Sequence, residues 1–255
     1  FEPPTSAKTE KYDGTSWSEV NDLNTARRAL AACGTNAAAL AMAGGPPNVA
    51  ATETYDGTSW TSVNDLNTAR NSLGGAGLQT AALAFGGSAP PSKNETESWD
   101  GTNWTTVPGT LNAGRPGLGG LGTQGAALAV DGGSPGNATE EWNGSAWTVE
   151  ATTGTTRPEG TGEAGTQTAA LVYGGAPAIA NTEGYDGSAW SARPSMATGR
   201  GELGFGGSQT AALAAGGSPP SPAPLSVTEE FNSSGSVITP GAWASGGAMP
   251  VANQD

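Results

Sequence analysis

The sequence predicts an all-β fold, a β-propeller of four-stranded blades, and three observations carry this prediction. The segment at residues 52–60 (TETYDGTSW) recurs along the chain at intervals of about 43 to 46 residues. Each full copy places Asp-Gly or Asn-Gly between two aromatic residues, a hairpin signal because Gly readily adopts positive φ. A run rich in Ala, followed by a pair of Gly residues, precedes five of the copies. Short strands repeated with this period are typical of radially arranged blades.

One period divides into four strand-like segments, at residues 70–77, 79–85, 94–99 and 104–107. The pair Gly86-Gly87 predicts a turn after the second segment, and Asp100-Gly101 predicts the turn between the third and the fourth. A helical interpretation exists for Ala-rich runs such as residues 37–43, since Ala has high helix propensity. Gly residues bound these runs too closely for a packed pair of helices, so we expect strands.

The number of blades stays open at this point, because the first two strands occur five times and the last two occur six times. In one arrangement, the N-terminal hairpin at residues 9–20 completes the blade opened by residues 200–217. The ring is then closed with five blades, and residues 218–255 are a degenerate last repeat or tail. In the other arrangement, the chain belongs to a six-bladed ring. In both cases we expect residues 1–255 to form a single propeller domain.

Composition excludes several classes of function. The net charge of −13 argues against nucleic acid or an anionic membrane as partner. No run of 18 apolar residues occurs, so we expect no membrane insertion. Histidine is absent, which removes His-based catalytic triads and the usual zinc and copper ligands. We therefore expect no metal and no cofactor, and the single cysteine, Cys33, allows no intrachain disulfide.

The pattern of Arg70, Gly86-Gly87, Trp99 and Trp104 resembles a kelch-type propeller repeat. Its variant form, Thr-Glu-x-Tyr/Trp-Asp/Asn-Gly-x-x-Trp, is similar to repeats of marine bacteriophage proteins, especially those of cyanophages. The resemblance implies a tail fibre or another component of the virion surface, with other virion proteins or a host-surface glycan or protein as partner. No candidate site is confined to one repeat, so we expect a non-enzymatic role. An extracellular carbohydrate-binding or adhesion propeller of a bacterium is the alternative, and a glycan hydrolase is the third hypothesis. Assembly into a homo-oligomer is compatible with each.

Two residue sets recur once per repeat, and we expect both to be structural. The arginines are Arg27, Arg70, Arg115, Arg157 and Arg200, and the tryptophans are Trp17, Trp60, Trp104, Trp147 and Trp190. A glutamate of each repeat is the expected partner of each arginine. A ring of arginines that binds an anion near the axis is the functional alternative. A catalytic group is needed once rather than in every blade, so neither set predicts an active site.

Topology predicts where binding would occur. In a four-stranded blade, the second-to-third and fourth-to-first loops share one face, and here these loops differ in length and sequence. The candidate binding residues in them are Pro47, Asn48, Pro91, Lys93, Asn137, Ile179 and Asn181. The opposite face carries the repeated Asp-Gly turns, whose aspartates we interpret as turn residues rather than calcium ligands.

Overall fold

The computed structural model describes residues 5–219, 224–233, 242–246 and 249, and its regular structure consists of β-strands β1 to β22. Within these residues there is no helix, and therefore no helix long and apolar enough to cross a membrane. Twenty strands form five four-stranded antiparallel sheets arranged in a ring, and two form a separate hairpin. The protein is therefore a five-bladed β-propeller, and the predicted fold class is confirmed.

The strands follow the chain in order. The N-terminal hairpin consists of β1 (Thr9–Tyr12) and β2 (Trp17–Val20). The first blade has β3 (Ala31–Thr35), β4 (Ala38–Met42), β5 (Thr52–Tyr55) and β6 (Trp60–Val63). The second has β7 (Gly74–Leu78), β8 (Ala81–Phe85), β9 (Thr96–Trp99) and β10 (Trp104–Val107). The third has β11 (Gly119–Thr123), β12 (Ala126–Val130), β13 (Thr139–Trp142) and β14 (Trp147–Val149).

The last two blades have the same plan. The fourth has β15 (Thr161–Thr166), β16 (Ala169–Gly174), β17 (Thr182–Tyr185) and β18 (Trp190–Arg193). The fifth has β19 (Gly204–Ser208), β20 (Ala211–Ala215), β21 (Thr228–Asn232) and β22 (Ala242–Ser245). Every blade is a meander in which consecutive strands pair. The first strands pack side by side around the axis, β3 with β7, β7 with β11, β11 with β15, and β15 with β19.

The Asp-Gly turns are built as the sequence indicates. Gly57 has a φ of 93°, which a residue with a side chain rarely adopts. The Asp56 carboxylate accepts backbone hydrogen bonds from Ser59 and Thr58, each at 2.8 Å. These two donors hold the pKa of Asp56 below its ordinary value, because they favour the charged form. Tyr55 and Trp60 then face each other across the hairpin, with ring centroids 5.0 Å apart.

The hydrophobic core lies between blades. Met42, on the second strand of the first blade, packs in one cluster with Ala82 and Trp104 of the second blade. Nearer the axis the first blades approach so closely that small side chains predominate on the facing strands. A Cβ atom on Gly75 would lie 3.1 Å from the Cβ of Ala31 in the neighbouring blade. This explains why the inner strands are rich in Gly and Ala.

The arrangement in which the N-terminal hairpin completes the last blade is wrong. The outer strands of the fifth blade are β21 and β22, which come from the degenerate sixth copy of the repeat. Phe231 pairs with Ala212, as Trp99 pairs with Ala82 in the second blade. The degenerate copy keeps the third-strand pattern Thr-Glu-x-aromatic, and this is sufficient for it to pair with β20. The hairpin β1–β2 is instead a separate two-stranded sheet between the fifth and first blades.

Candidate functional site

The five repeated arginines lie inside their own blades, and each forms an ion pair with a third-strand glutamate. The pairs are Arg27–Glu53, Arg70–Glu97, Arg115–Glu140, Arg157–Glu183 and Arg200–Glu229. All five arginines are buried. Their guanidinium groups also contact backbone carbonyls, as Arg70 does by donating to Ala84 at 3.3 Å. Each arginine is paired with a glutamate of its own blade, and none of the five lines the described part of the central channel. They therefore form no anion-binding ring around the axis.

The repeated tryptophans join neighbouring blades. The indole N–H of Trp104 donates to the hydroxyl of Thr52, in the preceding blade, at 3.0 Å. We call this contact a Trp–Thr rung. The other rungs are Trp147–Thr96, Trp190–Thr139, Trp243–Thr182, Trp17–Thr228 and Trp60–Thr9. Trp243 was not among the tryptophans that the sequence analysis selected, because its repeat is degenerate. The last two rungs attach the N-terminal hairpin to the fifth and first blades.

A set of glutamines also links the blades, and the sequence analysis missed its role. The side chain of Gln79 donates to the carbonyls of Ala39 and Tyr55 in the preceding blade, at 3.1 and 2.6 Å. Equivalent glutamine contacts are made by Gln124, Gln167 and Gln209. The signal in the sequence was their recurrence at the same place, in the turn between the first and second strands.

The second-to-third and fourth-to-first loops form one face of the ring, which we call the loop face. Backbone hydrogen bonds join the second-to-third loop of each of the first four blades to the loop that leads into the next blade. For example, Leu66 N–H donates to the Ala50 carbonyl at 3.0 Å, and Arg70 N–H donates to the Val49 carbonyl at 3.3 Å. The same double contact recurs in the later blades. The loop bases are therefore fixed, and the loop tips project from a rigid support.

The candidate binding residues of the first two blades differ in what they contact. Pro47 and Pro91 are exposed at loop tips. Asn48 instead ties two loops together, because its amide N–H donates to the Ser88 carbonyl at 3.0 Å while its amide oxygen accepts from Asn71 at 2.7 Å.

Among the remaining candidates, Lys93 Nζ lies 3.7 Å from a carboxylate oxygen of Glu95. The backbone carbonyls of Asn137 and Ile179 accept hydrogen bonds from the loops that lead into the next blade. The carbonyl of Asn181 accepts one from Gly174 at the end of β16, and the side chain of Asn181 is exposed. The seven candidates are spread over the loops of four blades and do not converge on one pocket.

A central channel runs along the axis, with cavities of about 370 Å³ near the loop face and about 340 Å³ near the opposite face. At one strand position the wall has Ala32, Gly75 and Gly120 in the first three blades. The fourth and fifth blades have Glu163 and Phe205 there. Both of these line the two cavities, so the channel is asymmetric although the scaffold repeats.

Glu163 is the most unusual side chain of the channel. One carboxyl oxygen accepts a hydrogen bond from the Thr161 hydroxyl, whereas the buried Oε2 has no hydrogen-bond partner. Burial raises the pKa of Glu163 to about 8, because a charged carboxylate would be desolvated there. At neutral pH the group is mainly protonated, and it can donate or accept a hydrogen bond. The sequence analysis missed it, although it is a charged residue at a strand position where other repeats have Ala, Gly or Phe.

In the part of the chain that the structure describes, no group of three or more His, Cys, Asp and Glu side chains is arranged to hold a metal ion. A comparison with protein-family models found no match to the sequence. A search of curated proteins found no match either.

Proposed function

We propose that this propeller is a non-enzymatic binding module of the kelch-like type, displayed on the surface of a bacteriophage virion, and that its loop face recognises a host-surface partner. The observation that carries the proposal is the construction of the loop face. Loops of different length stand on bases that are fixed by repeated backbone hydrogen bonds. A rigid support with variable tips is the usual arrangement for recognition, because ordering the binding residues costs little on association.

The repeated charged residues belong to the scaffold rather than to a site, which fits a binding module whose recognition residues lie in its loops. The five repeated arginines and their glutamate partners are buried within blades, where they stabilise the scaffold. The virion setting rests on the resemblance of the repeat to those of marine phage proteins. Binding to other virion subunits would assign the loop face to contacts within the virion. Display on a bacterial cell surface would favour a bacterial adhesion protein.

Binding can be tested with the purified chain on a glycan array and on intact cyanobacterial cells. The loop-face variants Lys93→Ala and Asn181→Ala remove side chains without removing backbone hydrogen bonds. Thr58→Ala and Thr102→Ala are matched controls in the exposed turns of the opposite face. We expect the loop-face variants to weaken binding by about tenfold when combined, and the controls to bind as the wild type does.

Equal loss of binding for both faces would contradict the assignment of the loop face. Antibodies against the protein provide the test of the setting, since they should label purified virions. Labelling of bacterial surfaces instead of virions would favour an adhesion protein of a bacterium.

A further inference from the structure

The N-terminal hairpin reproduces the outer half of a blade together with its preceding loop. Arg27 N–H donates to the Ser6 carbonyl at 3.0 Å. The same contact joins Arg70 to Val49 between the first and second blades. With its two Trp–Thr rungs, the hairpin gives the outer layer of the ring six members. Among the described strands, the inner layer has five, namely β3, β7, β11, β15 and β19.

A groove lies on the inner side of the hairpin, between the fifth and first blades. Within the described residues, β1 pairs only with β2, and no strand packing comparable to that of the other first strands joins β19 to β3. The groove has a volume of about 590 Å³, and its wall includes Tyr12, Trp60 and Phe231. It occupies the place that the first and second strands take in each complete blade.

Both walls of the groove carry residues whose counterparts elsewhere are covered by the next blade. A Cβ atom built on Gly206 would meet nothing within 4 Å. The equivalent residues in the second, third and fourth blades, Ala76, Leu121 and Ala164, are buried. On the other wall, Ala39 is only partly buried, whereas Ala82 at the same position of the second blade is fully buried. These surfaces have the shape of a blade interface.

The groove also presents the anchor points of such an interface. Gln209 of the fifth blade donates to the carbonyls of Ala170 and Tyr185. The corresponding carbonyls of the fifth blade belong to Ala212 and Phe231, which line the groove and receive no hydrogen bond from a described glutamine.

Trp60 supplies a second anchor on the opposite wall. In the third blade the equivalent Trp147 packs on Phe85 of the preceding blade, with ring centroids 4.7 Å apart. Trp60 lines the groove at the position where a second-strand residue equivalent to Phe85 would meet it.

We propose that this groove binds a β-hairpin of a partner protein, with two Gly- and Ala-rich strands, a glutamine in the connecting turn and a large apolar residue near the end of the second strand. The partner hairpin would pair through its main chain with β1, on the side away from β2, and complete the inner layer of the ring. Its glutamine would donate to the carbonyls of Ala212 and Phe231, and its apolar residue would pack on Trp60. This interaction is independent of recognition by the loop face.

The test uses the whole chain and a fluorescein-labelled peptide of residues 70–87, the inner hairpin of the second blade. We expect saturable binding by fluorescence anisotropy. Peptides carrying Gln79→Ala or Phe85→Ala should each bind about tenfold more weakly, since each loses one anchor. The protein variant Gly206→Trp should abolish binding by filling the groove. Gly125→Trp is its matched control, because Gly125 also has nothing within 4 Å of a built Cβ but lies in an exposed turn away from the groove.

Three results would overturn the proposal. The first is the absence of saturable binding, or equal binding of a peptide with scrambled sequence. The second is wild-type binding by the Gly206→Trp variant. The third is self-association of the chain in sedimentation experiments that the Gly206→Trp variant abolishes, since that result would assign the groove to a second copy of this chain.

Discussion

Glu163 is a buried acid in a scaffold whose other buried acids are mostly paired with arginine. Its carboxyl group is hydrogen-bonded to Thr161 and interacts electrostatically with Asp131, Arg157 and Tyr173. Its pKa in the folded protein is about 8, above its ordinary value of 4.5. Burial therefore favours the protonated form. The stability associated with that form is fully present below the unfolded-state pKa, and it is lost as pH rises towards 8.

We therefore predict that the Glu163→Gln variant loses less stability than the wild type between pH 5 and pH 9. The difference should be on the order of a few kcal/mol, because each unit of pKa shift corresponds to about 1.4 kcal/mol. Urea unfolding at several pH values measures it. Glu19→Gln, which removes an exposed carboxylate, should keep the pH dependence of the wild type. Parallel profiles for Glu163→Gln and the wild type would mean that Glu163 is ionised in the folded protein.

The arginine–glutamate pairs allow a second prediction for single residues. Arg70→Met leaves the buried carboxylate of Glu97 without its guanidinium partner, 3.1 Å away in the native protein. We expect the free energy of unfolding to fall by about 3–5 kcal/mol, the usual cost of an unpaired buried charge. Chemical denaturation measures this loss. Adding Glu97→Gln should restore part of it, because the neutral amide does not need a counter-charge. A double variant as unstable as the sum of the single variants would contradict the pairing.

At the scale of the structural elements, the glutamine contacts between blades can be tested against a natural control, because one repeat lacks the contact. Gln79→Ala removes two hydrogen bonds to carbonyls of the first blade and should cost about 1–3 kcal/mol of stability. Asn36 occupies the same turn position in the first blade, is exposed, and makes no such contact among the described residues. Asn36→Ala should therefore leave the free energy of unfolding almost unchanged in the same denaturation experiment. Equal losses for the two variants would show that the glutamine contacts add little.

The hairpins were the elements that the sequence predicted best. Asp56-Gly57, with Tyr55 and Trp60 beside it, specifies a tight turn and the pairing of two strands through local chemistry alone. The sequence did not show which copy of the repeat supplies the outer strands of the fifth blade. Both the N-terminal hairpin and the copy beginning at Thr228 carry the third-strand pattern. Only tertiary packing decides which of them pairs with β20.

The candidate site was less predictable than the fold. The exposure of Asn181 and the loop-tying role of Asn48 depend on neighbouring blades, which a local pattern does not specify. Glu163 could have been found as an asymmetric residue in a repeated position. The lack of a hydrogen-bond partner for its Oε2 atom could not have been predicted, because it depends on how the surrounding strands bury the side chain.

At the scale of the whole molecule, the ring is closed between the fifth and first blades through the hairpin β1–β2, whereas the other blades also touch through their first strands. We therefore predict different behaviour for two double variants. Trp17→Phe with Trp60→Phe removes both rungs of the hairpin. Trp104→Phe with Trp147→Phe removes two rungs elsewhere in the ring.

Each double variant should lower the global free energy of unfolding by about 1–3 kcal/mol, since each loses two indole hydrogen bonds. Only the first should greatly accelerate amide hydrogen exchange in β1 and β2 under native conditions, because the hairpin lacks the inner-strand packing that holds the complete blades together. Hydrogen exchange followed by mass spectrometry resolves these segments. If the hairpin exchanges equally slowly in both variants, contacts other than the rungs close the ring. The partner hairpin proposed for the groove should also slow this exchange in the first variant, since it would pair with β1 on the side that faces the groove.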